Sequence, residues 1–153
     1  MPIINPIYIN TDPQVVKVKL DGAGLGEFTD LAAAVASITD SNPDTKPYVI
    51  EIGPGVHVVN NPINIPTGVS IRGAGINATT LKPLNVNQHL LVPQNMCEIA
   101  FLNLKGGVGS IGSGKAAIYC QDVGNFAQIH KVSIYDFDIG IENYSLIQES
   151  TIY

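Results

Sequence analysis

Tyr48-Val49-Ile50-Glu51-Ile52-Gly53-Pro54-Gly55-Val56 and, further on, Val69-Ser70-Ile71-Arg72-Gly73-Ala74-Gly75 are the stretches that decide the fold. Each is a short apolar run rich in β-branched residues, the composition that suits a pleated strand, and each ends at once in glycine or proline. Gly53-Pro54-Gly55 turns the chain, and Gly68, Gly73 and Gly75 allow corners too tight for a side chain. The same alternation of strand and corner continues through Val56 to Val59, Ile63 to Ile65, Thr80 to Leu84, Leu90 to Val92, Ile99 to Leu104, Ala117 to Cys120, Ile129 to Ile134, Ile139 to Ile141 and Leu146 to Ile152. No two-residue Asn-Gly or Asp-Gly loop joins any of these runs, so antiparallel hairpins are not the organising unit. With Ile50, Val69, Ile99, Ile134 and Ile152 as strand markers, the spacing suggests coils of about 20 residues alternating with longer ones, a loose solenoid repeat. Inward Ile, Val and Leu would then stack about 4.8 Å apart from coil to coil.

Composition agrees. The 153 residues are 45% hydrophobic and 14% charged, with 15 Gly, 10 Pro and no Trp, enough for one packed domain and too apolar for disorder. A net charge of −5 and a pI near 4.9, with no dense Lys/Arg cluster, exclude a phosphate-gathering field, so nucleic acid is not expected as a partner. The longest apolar stretches fall well short of a membrane span, and Met1-Pro2-Ile3-Ile4-Asn5-Pro6 lacks the layout of a signal peptide.

Residues 1 to 14, broken by Pro2, Pro6 and Pro13, read as an extended arm, and residues 15 to 153 as one domain. Val16-Lys17-Val18-Lys19-Leu20 alternates apolar and polar like a half-buried strand. One helix of eleven residues is predicted next, with Thr29 as its cap, Asp30 in its first turn, and Phe28, Leu31, Val35 and Ile38 on one face. Ser41-Asn42-Pro43-Asp44 ends it, and its position suits covering an open sheet edge.

Val18 to Gly24, then Phe28-Thr29-Asp30-Leu31 with Ala32, Ala33 and Ala34, then the two stretches quoted first, resemble the amino-terminal region of pectin methylesterases and related pectin-lyase-like proteins, over roughly residues 16 to 81. The resemblance implies a right-handed parallel β-helix with one short amino-terminal capping α-helix. It does not bring the catalytic residues of those esterases, because the Gly-Tyr-Gln-Asp-Thr-like and Asp-Phe-Ile-Phe-Gly-like motifs are missing. Asp136-Phe137-Asp138-Ile139-Gly140 only echoes the second. Relatives lacking such motifs serve as virion tailspikes and fibres, which need no export signal. The expectation is therefore a structural or interaction module of a virion or extracellular surface, facing glycans, with a carbohydrate-active enzyme or its amino-terminal fragment as the alternative.

For that alternative the candidate acids are Asp122, Asp136 and Asp138, since paired carboxylates serve glycoside cleavage. Asp136 and Asp138 would share a strand face about 6.5 to 7 Å apart, although alternation from Val132 and Ile134 turns them inward unless the strand bends near Tyr135; solvated turn carboxylates are the simpler reading. Tyr135 and Tyr144 are the candidates for stacking on sugars. Gly109-Ser110-Ile111-Gly112-Ser113-Gly114-Lys115-Ala116 has phosphate-loop spacing, yet Ala116 stands where a magnesium-holding hydroxyl belongs and Ala117 to Cys120 reads as a strand, so an inserted loop is expected and no cofactor. His57, His89 and His130 sit in separate segments with no relay, and read as surface or turn histidines. Cys97 and Cys120 do not form a metal site by spacing; they are either buried free thiols or, one coil apart, a disulfide. Asn77-Ala78-Thr79 and Asn143-Tyr144-Ser145 fit the glycosylation pattern, which means little without export. Ser150-Thr151-Ile152-Tyr153 closes on a strand with no cap, so the last coil is expected to continue or to be covered by another copy or an adjoining module.

Overall fold

The computed structural model describes residues 12–22, 24–121 and 127–143. Its elements follow in order β1 (Gln14–Val18), β2 (Glu27–Phe28), α1 (Leu31–Ala36), β3 (Tyr48–Ile52), β4 (Gly55–Val59), β5 (Ile63–Ile65), β6 (Val69–Gly73), β7 (Thr79–Pro83), β8 (Leu91–Pro93), β9 (Glu98–Lys105), β10 (Ala116–Cys120), β11 (Gln128–Tyr135) and β12 (Ile139–Asn143). The protein is all-β apart from α1. An eight-stranded sheet runs β2-β1-β3-β6-β9-β7-β4 with β11 added on β9, and a four-stranded sheet runs β12-β10-β8-β5. Every pairing between these strands is parallel, and the parallel sheet curls into a half-barrel. As expected, no hairpin joins these strands; among the described residues the one antiparallel pairing is an isolated bridge between Asn42 and Lys46.

The curl has a local cause. β9 pairs with β6 through Glu98 to Ala100 alignments and with β7 through Asn103 and Leu104, so the strand changes direction between them. The bend is Phe101, at φ 58°, and β11 repeats it at Lys131, at φ 54°. Earlier in the chain Gly53-Pro54-Gly55 and Gly73-Ala74-Gly75 occupy the same corner. Gly73 is obligatory there, because a Cβ would collide with the Phe101 carbonyl and the Leu102 side chain.

Register fixes the core. Val16, Ile50, Ile71, Ile99 and Ile129 align across β1, β3, β6, β9 and β11; His57, Leu81, Leu104 and Ile134 across β4, β7, β9 and β11; Ile63, Leu91, Ile118 and Ile141 across β5, β8, β10 and β12. Ile50, Ile71, Ile99, Leu81, Leu104, Leu91 and Ile118 are fully buried, and each such side chain contributes about 1.5–3 kcal/mol of transfer free energy. The true spacing of the first stack is 21, 28 and 30 residues from Ile50. Two expected markers are misplaced: Val69 pairs with Tyr48, two residues before Ile50, and Ile134 belongs to the second stack because the bend at Lys131 lies between it and Ile129. Ile152 and the expected Leu146 to Ile152 strand lie outside the described residues.

β1 starts at Gln14, at the boundary assigned to the arm, and the rest of that arm to residue 11 lies outside the described residues. The helix is six residues rather than eleven. Asp30, not Thr29, caps it: Asp30 is extended (φ −126°, ψ 125°) and its Oδ1 accepts the Ala32 N–H at 3.1 Å. At the other end the Ser37 hydroxyl donates to the Ala34 carbonyl at 2.6 Å, a competing bond that favours termination. Leu31 and Val35 point inward as expected, and α1 packs on β1, β2, β3 and β5, the last an end strand of its sheet. No helix among the described residues is long and apolar enough to cross a membrane.

Candidate functional site

Asp136 and Asp138 are each placed by a backbone contact of their own. Asp136 follows β11 at φ 59°, exposed, and its backbone carbonyl lies where a side chain on Gly106 would be. Asp138 is also exposed, and its Oδ2 accepts the Gly114 N–H at 2.8 Å, pinning the glycine-rich loop of residues 109–114. That loop is followed by the strand β10, with no helix to face a phosphate. Asp122 and Tyr144 lie outside the described residues.

The histidines and cysteines take separate structural places. His57 is buried, contrary to the surface position expected, and its ring Nε2 donates to the Gly53 carbonyl at 2.9 Å. His89 stacks on Tyr119 with ring centroids 4.1 Å apart, and its Nδ1 accepts the Ala116 N–H at 2.9 Å. Burial, then the Lys115 charge, lowers its pKa against the opposing pull of Glu142. Cys97 and Cys120 are both free and buried; burial raises the Cys97 thiol to about 11, so it stays protonated and inert near neutrality. Among the described residues no group of three or more potential ligands is arranged to hold a metal ion.

Two surfaces of the eight-stranded sheet gather polar, charged and aromatic side chains. One is the outer face of β7, β9 and β11, where Thr80, Asn103 and Ser133 align, with Lys105 beside Tyr135. Tyr135 is 40% exposed. Its hydroxyl accepts from Asn103 Nδ2 at 3.0 Å, the same nitrogen donates to Thr80 Oγ1 at 3.2 Å, and Lys105 Nζ lies 5.3 Å from the ring centroid. Asn103 is only 6% exposed, yet its Oδ1 has no hydrogen-bond partner, an uncommon state for a buried acceptor. On β4, Val56 and Val58 extend this face with exposed apolar side chains.

The other surface is a groove of about 360 Å³ at the bend, lined by Lys17, Lys19, Glu51, Arg72, Phe101 and the backbone of Gly73 and Ala74 among others. Lys17, Glu51 and Arg72 face outward in one register row across β1, β3 and β6. Beside it Glu98 joins Arg72 Nε on one oxygen and His130 Nε2, 3.1 Å away, on the other. Burial raises the Glu98 pKa, but the bonds from Arg72 and His130 outweigh it and the net shift is downward. The outward lysines of Val16-Lys17-Val18-Lys19 were the one hint of this groove; Phe101 carried no signal, because nothing marks an aromatic residue as a bend.

No family model matches the chain, and comparison with curated proteins and with solved structures gives no match.

Proposed function

We propose that the chain is a right-handed parallel β-helix module of the pectin-lyase-like kind, serving assembly and glycan contact rather than catalysis, as tailspike and fibre modules of virions do. The all-parallel pairing and the stacked core suit that winding, and right-handed crossovers are the rule for parallel strands. The observation that carries the functional part is the row on the outer sheet face. Tyr135, Thr80 and Ser133 offer a half-exposed ring with hydroxyl groups along successive strands, positioned by the buried Asn103 amide, the combination that meets a sugar's apolar face and hydroxyls together. By contrast Asp138 bonds the backbone of a loop and Asp136 forms a corner.

Screening the full chain against a panel of polysaccharides tests this. The expected result is saturable binding without any released product, weakened about tenfold, or roughly 1.4 kcal/mol, in Tyr135→Ala. Turnover of a bound polysaccharide that disappears in the Asp136→Asn, Asp138→Asn double variant would establish the enzyme reading in its place.

A further inference from the structure

The outer face that carries Tyr135 has a second row whose charges are all of one sign. Val58 of β4 aligns with Lys82 of β7, and Lys105 of β9 aligns with Tyr135 of β11. The register of β7 on β9, Thr80 with Asn103 and Leu81 with Leu104, sets Lys82 beside Lys105 at its next step. Neighbouring strands lie about 4.8 Å apart, and like charges directly opposite one another repel. Neither lysine takes part in an ion pair among the described residues. No acid stands in this row or in the adjoining one of Val56, Thr80, Asn103 and Ser133, although the chain holds 13 Asp and Glu against 8 Lys and Arg. Asp136 follows Tyr135 but leaves the strand at its left-handed corner, and Asp138 is bonded to the Gly114 N–H.

The hydrogen bonds of this face have a direction as well. Asn103 Nδ2 donates both to Thr80 Oγ1 and to the Tyr135 hydroxyl, so each hydroxyl accepts from beneath and keeps its own proton for a partner outside. Two ammonium groups and two O–H donors are thus presented together, with no carboxylate to answer them. Lys105 Nζ lies 5.3 Å from the Tyr135 ring centroid, which keeps that charge at the edge of an aromatic platform. Val58, 61% exposed, and Tyr135, 40% exposed, flank the lysines with apolar surface. Both lysines are themselves half-buried, so less side-chain freedom is left to lose on binding. An occupant that answers this face brings acceptors and negative charge on a frame with an apolar side.

We infer that the glycan taken by this face is anionic, with its carboxylate or sulfate between Lys82 and Lys105 and the pyranose ring that carries it against Tyr135. The inference rests on the reading of this face as a glycan contact, and adds the class of glycan and the two residues that select it.

Calorimetric titration of the full chain at fixed ionic strength tests it with neutral, carboxymethylated and sulfated forms of two backbones, cellulose (the neutral form hydroxyethylated) and dextran, and with polyglutamate, which carries carboxylates without sugar. On at least one backbone an anionic form is expected to bind about tenfold or more tightly than both the neutral form and polyglutamate, and the tighter of the two anionic forms names the group. Lys82→Gln and Lys105→Gln should each weaken that binding about fivefold and leave the neutral form unchanged, with melting curves verifying that both variants are folded. Neutral and anionic forms bound equally, or anionic binding unaltered in the double lysine variant, would overturn this inference and leave the glycan face standing. Polyglutamate bound as tightly as the anionic glycans, with Tyr135→Ala without effect on either, would overturn both readings, as would no saturation by any of these glycans.

Discussion

At Gly106 the backbone at the ends of β9 and β11 comes closer than any side chain permits. Its N–H donates to the Tyr135 carbonyl at 3.0 Å, and a Cβ placed on it would overlap the carbonyl of Asp136 and press on Ser110. Neither neighbour can withdraw cheaply: the Asp136 carbonyl is backbone at a left-handed corner, and Ser110 is buried with its hydroxyl bonded to the Gly107 N–H at 2.8 Å. Gly106→Ala is therefore expected to cost about 3 kcal/mol or more, in the range of severe overpacking. Thermal melting would show it as a drop of many degrees, whereas Gly112→Ala, where a Cβ meets nothing within 4 Å but φ is +84°, should cost only the backbone term of about 1–2 kcal/mol. Comparable losses at the two positions would mean that the close approach at Gly106 is not a constraint. The bend positions teach the complementary lesson. Phe101 and Lys131 adopt the same left-handed conformation that glycine supplies elsewhere, so residue identity alone could not reveal that β9 and β11 turn in mid-strand.

Among the elements, the isoleucine stack is where burial is most uniform. Ile71 sits in its middle, paired with Ile50 on one side and Ile99 on the other, all fully buried. Ile71→Ala should cost about 2–5 kcal/mol, because the deleted atoms leave a void between neighbours fixed by hydrogen-bonded strands. Val16→Ala, at the end of the same stack and only half-buried, should cost clearly less; denaturant unfolding of the two variants gives the comparison, and equal losses would contradict the stacking. The strands were legible because each β-branched run is bounded by glycine, proline or asparagine, and ten expected segments from residue 48 onward fall on strands β3 to β12. The helix was legible in place but not in length, since the Ser37 side chain ends it before Ile38. Of the groove only the two outward lysines were legible, and of the other row only Tyr135. Their members come from strands separated by more than twenty residues, and only the register, with its uneven steps of 21, 28 and 30, brings them side by side.

For the whole molecule, the arrangement of charges sets how it responds to acid. Two groups have lowered pKa values, His89 chiefly through burial and Glu98 through partners on other strands, and they act in different windows. His89 in the folded chain is depressed below its ordinary 6.5 by burial and by Lys115; in its neutral form it accepts the Ala116 N–H through Nδ1, and protonation removes that acceptor. Its contribution is fully present above pH 6.5 and is lost as pH falls through the lower folded value. Glu98 is depressed below its ordinary 4.5, with the bonds from Arg72 and His130 overcoming burial. Its contribution is present above pH 4.5 and lost below that. Acidification should therefore lower the melting temperature in two stages, a first decline beginning under pH 6.5 and a steeper one under pH 4.5. Glu27 and Asp40, lowered chiefly by the Gly24 N–H and by the Lys46 ammonium respectively, add to the second stage in the same direction. The stages can be assigned by substitution: His89→Gln should flatten the first and leave the second, while Glu98→Gln should lower stability at pH 7 and flatten the second. Because Glu98 ties β6 to β9 and β11 through Arg72 and His130, its loss loosens three successive passes of the chain at one place. A melting curve whose acid limb is unchanged in Glu98→Gln would show that this bridge does not couple the three strands.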